Sequence, residues 1–86
     1  MAPSTAESAR HVRDGAIDAI YALDDALREA LIGLSDSEQE KLKIEFGKIM
    51  GELSLNLINP VLEAYPELVL DKIEWANVAK TRAQSR

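Results

Sequence analysis

Apolar positions fall at the three- and four-residue spacing of an α-helix in three stretches, and proline and glycine punctuate them. The first runs from about residue 5 to 32. Ser4 and Glu7 form a capping-box pair just after Pro3. Ala9, Val12, Ala16, Ala19, Ile20, Leu23, Ala26, Leu27, Ala30 and Leu31 then gather in a sector of about 140°, with Glu7, Arg10, Asp14, Asp18, Asp25, Arg28 and Glu29 on the opposite side. Ile17, Tyr21 and Ile32 sit on its outer flank. The many alanines let a neighbouring helix come close without leaving voids.

Gly33 is placed to take the left-handed turn that ends this helix, and the next begins with Ser35–Glu38 or Ser37–Glu40 as its capping pair. So short a connection makes the two helices antiparallel neighbours. The second helix, about 36–59, has two apolar stripes. Leu42, Phe46, Ile49, Met50, Leu53 and Leu57 form one; Ile44, Gly47, Gly51, Leu55 and Ile58 form another, roughly 150° around the axis. A single neighbour covers one stripe and leaves the other in water. The pattern therefore predicts a central second helix, with its first stripe on the first helix and its second on the third helix, a second subunit or another protein.

Asn59-Pro60 predicts an end or kink, because proline inside a helix removes a hydrogen bond and crowds the preceding turn. A bent segment, 60–65, leads to Pro66, which opens a third helix of about 66–80. Val69, Ile73 and Ala76 form its face, with Leu68, Trp75 and Ala79 beside it. At about 21 Å against about 42 Å for the first helix, it covers only part of the hairpin. The expected architecture is all-α: one domain over 1–80, an antiparallel hairpin with a shorter third helix, assembling as a dimeric bundle. A flexible tail, 81–86, follows.

Size supports assembly. A folded monomer of 9.5 kDa exposes roughly 5,000 Å² and buries only about 60% of its unfolded surface. At 47% hydrophobic the chain is not disordered. Its net charge of −5 is the wrong sign for neutralising phosphates, which argues against a nucleic-acid partner. The first residues lack the basic start and apolar run of a signal peptide, and no run is long enough for a bilayer, so a cytoplasmic protein without membrane contact is expected.

The chemistry on offer is sparse. No cysteine exists, and the one histidine, His11, lies on the polar side of the first helix; with Glu7 it makes two ligands where a closed metal site needs three or four, so no metal or other cofactor is expected. Asp14, Asp18 and Asp25 lie opposite the apolar stripe, where nothing shifts them toward acid–base work. Ser54 has no activating base near it in sequence. The glycines match no phosphate loop. No catalytic residue is assigned. Arg10, Arg13 and Arg28 form an anion clamp only if a dimer gathers them.

The reading that follows is a non-enzymatic protein–protein interaction module: an adaptor, chaperone-like or regulatory subunit, homodimeric, whose acidic surface meets a basic protein partner. Its interface residues are Ile44, Gly47, Gly51, Leu55, Ile58, Leu62, Tyr65 and Trp75. One alternative is a small dimeric helical enzyme or small-molecule binder with an anion site between subunits. Another is a helix-turn-helix around Gly33–Glu38, which Glu38, Glu40 and Glu45 disfavour by offsetting Lys41, Lys43 and Lys48.

Overall fold

In the computed structural model, which describes residues 2–85, every element is helical. Helix α1 spans Ala6–Leu31. Its cap is Thr5, one residue later than the pattern predicted, with the Thr5 hydroxyl accepting from the Ser8 N–H at 3.1 Å. After Ile32 the chain turns through Gly33, whose φ of 82° is the left-handed conformation that a side chain would strain. Ser35 then caps α2, Asp36–Leu53, in a full capping box: its hydroxyl accepts from the Glu38 N–H, and the Glu38 carboxylate accepts from the Ser35 N–H.

The two arms run antiparallel. At the closed end the Gln39 amide donates to the carbonyls of Leu31 and Leu34. At the open end the Tyr65 hydroxyl donates to the Pro3 carbonyl at 3.0 Å.

Pro60 does not end the second arm. A π-helical turn, Ser54–Ile58, follows α2 directly and passes into α3, Asn59–Ala64. The Asn59 N–H bonds to the Ser54 carbonyl, five residues back. The widened turn stands immediately before the proline, where an α-helix would crowd the ring against the carbonyl four residues earlier. One extra residue in a turn shifts the phase of everything after it by one position, about 100°. Ile58 therefore takes the place that the uninterrupted pattern gave Leu57: Ile58 is 1% exposed and Leu57 is 40% exposed.

The expected third helix is displaced. Pro66–Leu68 is a single 3₁₀ turn, and α4 runs from Lys72 to Ser85, starting later than the pattern predicted and continuing through the described part of the expected tail. Asp71 and Glu74 form its capping pair: the Asp71 carboxylate accepts from the Glu74 N–H at 2.8 Å, and the Glu74 carboxylate from the Asp71 N–H at 3.2 Å.

The central helix is α1, not the second. Ala9, Arg13, Ala16 and Ile17 are buried on it, whereas α2 buries none of its residues. The core cluster joins Ala16 and Ile17 of α1 to Ile58 and to Ala79 of α4, with Ile20, Tyr21, Leu62, Leu70, Trp75 and Val78 packed around it. Two alanines, Ala16 and Ala79, stand where α4 meets α1, so the helices approach closely. Ile17 and Tyr21, placed on the outer flank by the pattern, are the side that receives α4. Val61 and Ala9, both fully buried, extend the core toward the open end of the hairpin.

Candidate interaction surface

With α4 packed on α1, the face of α2 turned away from α1 has no helix over it among the described residues. Ile44 is 50% exposed and Leu55 is 65% exposed. Gly47 and Gly51 lie between them, exposed, and no atom stands within 4 Å of where a Cβ would project at either. Beside this stripe Lys48 and Glu52 are exposed; the Lys48 ammonium lies 3.5 Å from the Glu45 carboxylate. The surface is thus an apolar strip with a cleft at its centre and charges of both signs along one border.

The remaining expected interface residues divide. Ile58 belongs to the core, by the phase shift already described. Leu62 and Trp75 pack half-buried against that core. Tyr65, also half-buried, uses its hydroxyl to hold the start of the chain. Only Ile44, Gly47, Gly51 and Leu55 remain together on one open face. Ile49, expected against the first helix, is nearly as exposed as Ile44, while Leu42, Phe46, Met50 and Leu53 are half-buried on the α1 side.

The three arginines are not gathered within the chain. Arg13 is 8% exposed; its guanidinium donates to the Leu68 carbonyl and to the Asp14 carboxylate, both at 2.8 Å. It pins the 3₁₀ turn to α1. Arg10 pairs with Asp14 at 3.7 Å. Arg28 stands several turns further along and bonds to Asp24 at 2.6 Å and Asp25 at 2.9 Å. Each guanidinium is engaged by a carboxylate of its own helix. Sequence reasoning missed the role of Arg13, because its carbonyl partner lies 55 residues away.

A second apolar area surrounds an open depression of about 400 Å³ between Tyr21, Leu70, Lys72 and Trp75. Val69 and Ile73, in the same stretch of chain, are exposed. Among the described residues no three of His, Asp and Glu come together as metal ligands, and no helix is long and apolar enough to cross a membrane. His11 is exposed.

The Ser35 backbone N–H, and after it the Ser35 hydroxyl, hold the Glu38 carboxyl below its ordinary value of 4.5. That shift serves the helix cap. The chain matches no protein-family model, no curated protein and no solved structure.

Proposed function

We propose that the protein is a non-enzymatic protein–protein interaction module, built as a homodimeric helical bundle through the open face of α2, with its acidic outer surface left to a basic protein partner. One observation carries this: a helix of 18 residues buries none of them, and Ile44 on it and Leu55 in the π turn that continues it are exposed. Aliphatic side chains at helical spacing on one exposed strip gain about 25 cal/mol for each Å² removed from water by a partner. An apolar strip of this kind offers a phosphate backbone nothing to pair with, so the nucleic-acid alternative gains no support from it. The enzyme alternative lacks a free cationic clamp, each of its three arginines being held by a neighbouring carboxylate.

Light scattering after size exclusion, repeated over a dilution series, tests the reading. The expected mass is twice 9.5 kDa, falling to that of one chain when Leu55→Asp is introduced, with the helical circular dichroism signal retained because Leu55 is largely outside the core. A monomer at every concentration refutes self-association.

A further inference from the structure

The way the second copy docks is also inscribed on α2. We infer that α2 pairs with α2 of a second copy in antiparallel orientation, about a two-fold axis passing between Gly47 and Gly51, with Ile44 against the partner's Leu55 and Lys48 against the partner's Glu52. This rests on the proposed homodimer and goes further in fixing its geometry.

Three observations support it. The first is area. One chain exposes 5846 Å², roughly 800 Å² more than a compact monomer of its mass. Its radius of gyration, 14.5 Å, likewise exceeds the ~12 Å of a compact domain of this length. About 800 Å² per partner is the ordinary share of a specific interface.

The second is self-complementarity. A two-fold interface must place one surface patch against its own copy. Ile44 and Leu55 lie at nearly equal distances on either side of the two glycines, so reversing the helix exchanges their positions. At the midpoint the glycines leave open space on both copies, and the axes close until the aliphatic side chains meet.

The third is charge. When two helices pair antiparallel about a two-fold axis, the same border of each faces the other. The border beside Ile44 and Leu55 carries Lys48 and Glu52, one turn apart. Reversal sets each lysine beside the partner's glutamate, twice per dimer. Parallel pairing about a two-fold axis would turn the Lys48 and Glu52 borders of the two copies to opposite sides of the interface and lose both attractions.

Two measurements test this, and they separate its failure from that of the homodimer itself. Lys48→Glu chains and Glu52→Lys chains are prepared separately and mixed. Each variant alone places like charges across the interface and is expected to dissociate at roughly tenfold higher concentration than the parent. The mixture is expected to form heterodimers in preference to either homodimer. Repulsion within each chain is the same before and after mixing, so the preference reports the contact between chains.

Because the chain has no cysteine, a spin label at Lys41→Cys reads orientation directly. Antiparallel pairing places the two labelled backbones about 25 Å apart along the axis, whereas parallel pairing places them about 10 Å apart. Absence of any dimer in the parent overturns the homodimer and this geometry with it. A dimer with the short label distance, or with no preference on mixing, overturns the geometry alone.

Discussion

Replacing Ile58 and Leu57 one at a time by alanine tests the phase shift that the π turn imposes. Ile58 is 1% exposed and touches a cluster containing Ala16, Ile17 and Ala79. The two alanines are too short to close the space that its side chain would vacate. Ile58→Ala is therefore expected to cost about 3 kcal/mol, inside the usual range for emptying a buried aliphatic site. Leu57, 40% exposed, loses only partial burial, and Leu57→Ala is expected to cost about 1 kcal/mol. The difference of about 2 kcal/mol is close to a thirtyfold change in the unfolding equilibrium.

Urea unfolding followed by far-ultraviolet circular dichroism measures both, at one fixed protein concentration because the proposed dimer would make the midpoint depend on it. The slope with urea should match the parent in both variants, so that the midpoints report stability alone. An uninterrupted α-helix predicts the opposite order, with Leu57 in the core and Ile58 outside. A Leu57→Ala cost equal to or above that of Ile58→Ala would refute the reasoning.

Other outcomes follow from single contacts. Arg13→Met keeps most of the side-chain volume but leaves the Leu68 carbonyl without its charged donor, at a cost of about 1–3 kcal/mol; hydrogen exchange should rise in residues 65–71 before it does in α1, and Arg13→Lys should not restore protection, since an ammonium lacks the planar fork that reaches both acceptors. Glu38 is held below its ordinary value in the folded chain, so its contribution is complete above 4.5 and is lost as pH falls through the lower folded value. The gap in urea midpoint between the parent and Glu38→Gln should accordingly be present near neutral pH and close in strong acid. Gly47→Ala with Gly51→Ala adds methyl groups to open helix surface in one chain, raising its stability by about 0.5–1 kcal/mol per site; the same pair should weaken the proposed dimer, measured by light scattering on dilution.

Much of the local architecture was legible in the residue pattern. Gly33 after the first apolar run and the Ser35–Glu38 pair mark the turn and the start of α2 through their own conformational and capping chemistry, and both act as that chemistry requires. Asp71–Glu74 carries the same signal for α4. It was masked by Pro66, which is equally suited to a first helical turn but here opens only the 3₁₀ turn.

What could not be read was phase and partnership. A period of 100° per residue assumes no extra residue in a turn, so the stripe containing Leu55 was extended to Ile58 across a turn that rotates it away. Centrality is hidden from the pattern for a related reason. Two apolar stripes on α2 suggested two neighbours, but Ile17 and Tyr21 beside the alanine-rich face of α1 supply the second packing side, and only contacts distant in sequence show it. The open face of α2 follows from both facts.

The π turn also makes the chain unusually tolerant of a one-codon deletion at one place. In most helices a deleted residue re-phases the helix beyond it and destroys its fit. Between Ser54 and Ile58 a deletion would instead remove the surplus residue and return the second arm to ordinary α-helical winding, leaving the residues that follow in the environments they now occupy. Val61, now fully buried, would stay in the core together with the residue now at Ile58. Length at this turn therefore has slack in one direction only: one residue less keeps the same side of the second arm against its own chain, whereas one more would rotate that side by about 100°.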